Sequence, residues 1–360
     1  MESYAAQAPL AARAGRLAVL TLRAPGRLHL GFLDPSGSLG RPFGSLGLVI
    51  EGYETAVELR AAAADGISAE TPAAEAEIER ATAYLERLRL HSGCHEPLHL
   101  RLLDVLPAHA GFGSGTQLAL AIGRAFAHWH GLEVSSATLA TWLGRGLRSG
   151  IGIAGFDEGG LLVDGGPGAD GAPAPLLSRV SLPASWRVLV VEDRSTRGLS
   201  GSRERQALAE LAPMPQAVAA DICHQVLMRV LPGAACAEFA TFAAGLTHVQ
   251  ERLGEHFAPA QAGSAYTSAA VGQLVQWIAE ARRAPCRDGD AGEAAHGAAI
   301  GQSSWGPTGF VILPSQADAE AMVEAAHEAG LVAPGLVLRI VRGRNRGATL
   351  SDSRITRAAR

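Results

Sequence analysis

Between Leu106 and Leu120 the chain reads LPAHAGFGSGTQLAL. Gly111, Gly113 and Gly115 alternate with Phe112, Ser114 and Thr116, and an Ala-rich apolar run follows. That run predicts a helix to about His130, opened by a glycine loop. Such a loop lets backbone N–H groups approach an anion without interference from Cβ atoms. The helix start adds unpaired N–H groups and the positive end of its dipole. Gly111, Gly113, Gly115, Thr116 and Gln117 are therefore expected to bind phosphate, with the Ser114 hydroxyl beside them. The plainer alternative is a turn that only joins a strand to a helix. Hydroxyls between the glycines, and two further glycine-bearing blocks elsewhere, favour the phosphate site.

The 360 residues suffice for two domains with a sizeable core, and 48% of them are apolar, which excludes a disordered chain. A net charge of −4 argues against a general nucleic-acid binder. The sequence contains no lysine, so all 31 cationic side chains are arginines and every cationic role falls to a guanidinium. Cys94, Cys223, Cys236 and Cys286 show no CxxC spacing, which points to free thiols in a reducing cytoplasm rather than zinc or disulfides. No run has transmembrane length, and the N-terminus lacks a signal pattern. Residues 1–18 read as a loose extension.

Strands are expected over Leu17–Arg23, twice within Leu46–Leu59, over Leu98–Val105, Trp186–Val191 and Leu336–Val341, and within 298–314. Helices are expected over Ala73–Leu90, from the glycine loop to His130, over Ser136–Leu147, near 214–231, 235–256 and 268–283, and over Asp318–Ala329. Phe156–Gly166 (FDEGGLLVDGG) reads as a short hairpin. The Pro- and Gly-rich stretch 167–178 reads as a loop near a domain boundary. The expected organisation is an extension over 1–18, one domain over 19–178 and a second over 179–350.

Three blocks carry polar residues among glycines: Pro25-Gly26-Arg27-Leu28-His29-Leu30-Gly31 followed by Asp34, the loop at 106–117, and Gly301-Gln302-Ser303-Ser304-Trp305-Gly306-Pro307-Thr308. Together they resemble the three-motif layout of the GHMP kinase superfamily. The resemblance implies an α+β, two-domain GHMP-kinase-like fold, with an N-terminal α+β domain and a ferredoxin-like C-terminal α/β sandwich. The departures are specific. The second block reads GFGSGTQ rather than GLGSSAA. In Ser149-Gly150-Ile151-Gly152, Gly152 stands where mevalonate-kinase-like members carry an Asp that helps activate a hydroxyl. Without that carboxylate a hydroxyl nucleophile has no evident base.

The segments LPAHAGFGSGTQLALA, GRGLRSGIGIAGFDEGGLLVDGG and GQSSWGPTGF resemble one branch, the β-ribofuranosylaminobenzene 5′-phosphate synthases. The resemblance implies a decarboxylating pentosyltransferase of tetrahydromethanopterin biosynthesis. It joins phosphoribosyl diphosphate to 4-aminobenzoate or 4-hydroxybenzoate and releases CO2 and diphosphate. It further implies a cytoplasmic homodimer that uses Mg²⁺ and no organic cofactor. The alternatives are an ATP-dependent small-molecule kinase of the same superfamily and a nucleotide-binding regulator without turnover.

For such a reaction Ser114 and the glycine loop are expected to hold the departing diphosphate. Arg27, Arg145 and Arg148 are the candidates for a bidentate grip on the benzoate carboxylate, and Trp305 for an aromatic contact. His109, Ser114 and Arg148 are the expected catalytic residues. Arg27, His29, Asp34, Arg145, Ser149, Gly150, Gln302, Ser303, Ser304, Trp305 and Gly306 are the expected substrate-binding set. Glu192-Asp193, after a buried strand, resembles the acidic pair of phosphoribosyl-diphosphate loops, which implies a ribose or metal site there and makes Asp193 the candidate metal ligand. A polar turn explains that pair equally well.

Overall fold

The computed structural model describes residues 18–169, 171–198, 201–283 and 297–354. The expected extension over 1–18, apart from Ala18, and Cys286 lie outside them. In the first half come β1 (Leu20–Asp34), β2 (Phe43–Ala61), β3 (Gly66–Ala69), α1 (Pro72–Glu75), α2 (Ile78–Ser92) and β4 (Leu98–Asp104). These are followed by α3 (Ser114–His130), α4 (Ser136–Trp142), α5 (Ile151–Asp157), β5 (Leu161–Asp164) and β6 (Leu176–Val180). The second half holds β7 (Arg187–Asp193), α6 (Gly201–Glu210), α7 (Gln216–Gln225), a π turn over Val226–Val230, α8 (Leu231–Ala235) and α9 (Phe239–Phe257). A 3-10 turn (Ala258–Gln261), α10 (Ala269–Arg283), β8 (Ala299–Gln302), β9 (Thr308–Leu313), α11 (Gln316–Glu328), β10 (Leu336–Val341) and β11 (Thr349–Asp352) complete it.

The first sheet runs β11-β1-β2-β4-β3, with β5 on the early part of β2 and β6 on β5. The second has the order β10-β7-β9-β8, with antiparallel neighbours throughout. A strand, helices, a hairpin, a helix and a strand in that order make the ferredoxin-like arrangement. α2, α3 and α4 bury one face of the first sheet around Leu22, Leu100 and Phe126. Its other face packs Leu28, Leu46 and Leu48 against Val188, Phe242 and Phe310 of the second unit.

β1 is longer than the Leu17–Arg23 strand expected from sequence, because the Pro-Gly-Arg block does not end it. The register against β2 shifts between Pro25 and Arg27. Two residues of β1 span five of β2 there, and such an odd offset exchanges the two faces of a strand. Leu20, Leu22 and Ala24 therefore pack on the helical side, whereas Leu28 and Leu30 pack toward the second unit. The same exchange brings Arg27 to the side where α3 begins. Gly26 permits it, since a Cβ there would lie 2.9 Å from Leu106 Cδ2.

The expected hairpin over 156–166 is not formed. Phe156 and Asp157 close α5, and only Leu161–Asp164 is extended. Three glycines in and beside α5 concealed the helix. It is held by Asp164, whose carboxylate accepts the amides of Gly150 (2.8 Å) and Ile151 (3.2 Å) at its start. α4 ends at Trp142 rather than Leu147. β6 crosses position 178, and β11 returns to the first sheet beside β1, pairing Leu20 with Asp352 and Leu22 with Leu350.

The two units are tied by Tyr53 of β2, whose buried hydroxyl donates to Glu192 of β7. Burial, then this contact, pushes the Tyr53 phenol well above its ordinary value. Tyr53→Phe is expected to destabilise the chain by about 1–3 kcal/mol, because it strips a buried carboxylate of its donor. Denaturant unfolding checks this, and unchanged stability would mean that Glu192 finds another donor.

Candidate active site

The three sequence blocks converge. At the start of α3, Gly113 takes φ 77° as the residue before the helix, and Thr116 and Gln117 amides return to its carbonyl. Arg27 reaches this turn from β1: its amide donates to Phe112 O (3.1 Å) and its Nη1 to Gly111 O (2.7 Å). The third block closes over both. Ser303 Oγ donates to Gly111 O (2.7 Å) and accepts from the His29 amide (2.9 Å), while the Ser304 amide donates to His29 O (3.1 Å). Gly306 lies so close to the second block that a Cβ would stand 2.5 Å from the Ala110 carbonyl.

Arginines crowd this junction. Arg145 Nη2 and Nε donate to the Tyr84 hydroxyl (2.8 and 3.1 Å), and its guanidinium covers Gly115, where a Cβ would meet Nη2 at 2.3 Å. Arg148 pairs with Glu204 of α6 at 2.9 Å, yet its Nη1 is buried without a partner. Arg27 Nε is likewise buried and unpartnered. Burial lowers the Arg27 guanidinium to about 10, so it remains charged at neutral pH.

His29 is 4% exposed, and neither ring nitrogen has a partner. Burial, then the charges of Arg27 and Arg148, push its imidazole down to about 3. It is a neutral hydrogen-bonding group here, not an imidazolium acid. Its ring meets Phe32 edge-on at 4.7 Å.

Buried, unpartnered N–H donors beside a helix start form a cradle for anions. Ser114 and Thr116 add hydroxyls at its edge. Gln117 does not face it, since its Nε2 donates to Gly152 O (2.8 Å). That contact ties α3 to α5 and explains Gly152, because a Cβ there would press on the Thr116 methyl at 2.9 Å. A side chain at this position would require Thr116 to give way.

Several expected site residues are structural. Asp34 accepts from the Ser36 amide, Ser38 Oγ and the Leu39 amide (2.8–3.2 Å) and shapes the turn after β1. Ser149 and Gly150 donate to Asp164, and Ser303 is spent on holding the loops. Gln302 bonds Gln261, the Ser304 carbonyl and the Thr267 amide. Asp193 clamps its own loop to the start of α10, accepting from Ser195 (amide and Oγ), Thr196 Oγ1 and Ser268 Oγ. Burial alone would raise it, but these donors outweigh burial and hold it at about 2. With its oxygens so occupied, Asp193 is a clamp rather than a metal ligand. Among the described residues no group of three His, Cys, Asp or Glu side chains could hold a metal. His109 is exposed in the turn before the loop with φ 60°. Glu204, which the sequence reading missed, lies in a helix that it did not find.

A cavity of about 350 Å³ opens behind His29, between β1, α9 and α10. Trp305 lines it, packed on Phe257 with ring centroids 4.9 Å apart.

This fold and cradle define the GHMP kinase class. Residues 77–159 match the GHMP kinases N terminal domain. Solved structures with similar folds include the phosphomevalonate kinase of Streptococcus pneumoniae (TM-score 0.65, 12% identity, 90% of this chain and 99% of that one). Another is the mevalonate diphosphate decarboxylase of Staphylococcus aureus (TM-score 0.63, 13% identity, 93% and 98%). The sequence relatives are more specific. A beta-ribofuranosylphenol 5'-phosphate synthase of Archaeoglobus fulgidus is 34% identical over 65% of this chain and 76% of its own length. That of Methanothermobacter thermautotrophicus is 31% identical over 64% and 75%. The chain belongs to this synthase family and is a pentosyltransferase on a GHMP-kinase scaffold.

Two outcomes test the geometry. Gly306→Ala is expected to force the third block off the second and to abolish activity while leaving both sheets folded. Wild-type activity would refute the close approach. For His29 the unfolded imidazole binds protons below pH 6.5, whereas the folded one stays neutral to about 3. The unfolded state therefore holds more protons across that window, and stability falls as pH drops through it. His130, lowered to about 4 by burial, then Arg89 and Arg354, acts in the same direction. His29→Asn is expected to reduce the loss of unfolding free energy between pH 6.5 and 4. An unreduced loss would mean that His29 is charged in the fold.

Proposed function

We propose that the protein joins phosphoribosyl diphosphate to 4-hydroxybenzoate or 4-aminobenzoate with loss of CO2, as a step toward tetrahydromethanopterin. The observation that carries this reading is a cationic, partly desolvated cradle without a base where the kinases place one. The names of the relatives, synthases of a ribofuranosylphenol 5'-phosphate, support the hydroxy acceptor.

In this reading the bond from the ribose anomeric carbon to the diphosphate oxygen breaks, and the diphosphate leaves with that electron pair. The α3 amides, Ser114, Thr116 and Arg145 stabilise the developing charge. The acceptor's carboxylate-bearing ring carbon supplies electrons for the new C–C bond. Loss of CO2 returns the C–C pair to the ring and restores aromaticity. CO2 leaves where a proton would leave in an ordinary aromatic substitution, so the sum balances without a base. Arg148 and Arg27 orient the carboxylate, and neutral His29 separates them from the cavity behind. Magnesium belongs in this reading to the diphosphate, since the described side chains offer no cage of their own.

Carboxyl-labelled 4-hydroxybenzoate is expected to release labelled CO2 only when phosphoribosyl diphosphate and Mg²⁺ are present. No release from folded protein with either acceptor would overturn the reading and direct attention to ATP binding. Arg148→Lys is expected to lower kcat/KM for the acceptor at least about tenfold, because an ammonium cannot replace the planar fork. An unchanged value would move the carboxylate to Arg27.

A further inference from the structure

A second cavity, of about 380 Å³, has Arg148 in its wall. Small-molecule sites span roughly 300–1,000 Å³. The rest of this wall is mainly apolar, with Pro35 after β1, Phe43 at the start of β2, Leu208 of α6 and Leu211 just beyond it, and His256 of α9. It shares no lining residue with the cavity behind His29, which has no cationic side chain in its wall.

Arg148 connects this space with the cradle. Its charge and that of Arg27 both act on the His29 imidazole. Arg27 in turn lies against the start of α3, where a Cβ on Gly113 would meet its Cζ at 3.0 Å. The rings of His29, Phe32 and Phe43 follow one another with centroids 4.7 and 5.3 Å apart, so an aromatic row runs from the arginines to the cavity wall. Phe43 takes φ 69°, a conformation that a bulky residue rarely adopts unless its surroundings impose it. Glu204 holds Arg148 Nη2 at 2.9 Å and leaves Nη1 without a partner. Leu208, one turn beyond Glu204 on the same face of α6, lines the cavity. A guanidinium with a spare N–H in an otherwise apolar wall suits a flat aromatic carboxylate.

We propose that this cavity, between the turn after β1 and α6, is the acceptor subsite, with Arg148 on the benzoate carboxylate and the ring against Phe43, Leu208 and Leu211. The inference rests on the transferase reading above and adds to it the place of the acceptor. In that reaction the attacking carbon is the one that bears the carboxylate. An acceptor held by its carboxylate at Arg148 therefore presents that carbon at the arginine end, beside Arg27 and the α3 start, and turns its para substituent away from them. Glu204 is a positioning residue in this arrangement: it fixes one edge of the Arg148 fork and leaves the other for the acceptor.

Filling the cavity tests this. Leu211 and Ala212 both line it and neither is buried, so Leu211→Trp and Ala212→Trp narrow it without entering the core. Each is expected to raise the acceptor KM about tenfold or more by overpacking the ring's place, and to leave the phosphoribosyl diphosphate KM within about twofold. Gln276→Trp, at the exposed edge of the cavity behind His29, is the control and is expected to move the acceptor KM by less than about twofold. An acceptor KM unmoved by both filling variants would overturn the assignment. So would an equal rise from Gln276→Trp, or a parallel rise in the phosphoribosyl diphosphate KM. Absence of CO2 release from wild type would count against the transferase reading instead. The cavity is then judged by calorimetric titration with 4-hydroxybenzoate: binding to wild type that Leu211→Trp and Ala212→Trp weaken supports the subsite, and absent binding or unchanged affinity overturns it.

Discussion

The approach of two backbones at Gly306 and Ala110 governs the site. The third block can lie on the second only because position 306 has no Cβ. Once it does, Ser303 bridges the Gly111 carbonyl and the His29 amide, and three segments far apart in sequence share one hydroxyl. Arg27 then has a fixed acceptor in Gly111, and its remaining N–H groups are held at the start of α3. The cradle is thus preorganised by hydrogen bonds that involve no ligand, a general requirement for electrostatic stabilisation of a leaving group.

That preorganisation carries a cost in stability. Buried guanidinium and imidazole nitrogens without partners are unfavourable, and a fold selected for stability alone would pair them. Arg27 Nε, Arg148 Nη1 and both His29 nitrogens are left unpaired at one place, and the two guanidinium groups among them have the chemistry to receive an anion. Glu204 compensates part of this charge through Arg148. The aspartates nearby do not, since Asp34, Asp164 and Asp193 are turned toward backbone amides and hydroxyls. An anion entering here would therefore meet cations that no local carboxylate has fully neutralised.

The blocks that form the cradle were legible because their physical demands are local. Alternating glycines before an Ala-rich run announce the α3 start, and strands such as Leu336–Val341 show apolar runs of the right length. What escaped depended on distant partners. α5 contains Gly152 and Gly155 and owes its start to Asp164, more than ten residues ahead. β11 has a mostly exposed pattern and is a strand because β1 offers it an edge. The face exchange at Pro25 and Arg27 arises from pairing with β2, which no single-strand pattern reveals. The carboxylates misled for a related reason: Asp193 follows a buried strand as a ligand would, yet Ser268, far along the chain, completes its shell.

Gly152 shows how one scaffold can serve different chemistry. A hydroxyl attacking a phosphoryl group must lose a proton, and a kinase on this fold gains from a carboxylate at this position. Here the Thr116 methyl occupies the space that any side chain at 152 would need, and Gln117 uses the neighbouring carbonyl. Restoring an aspartate would require Thr116, in the first turn of α3, to move or change rotamer, and with it one hydroxyl of the cradle. In the proposed reaction the attacking ring carbon sheds CO2 rather than a proton, so that reaction asks for no base at this position.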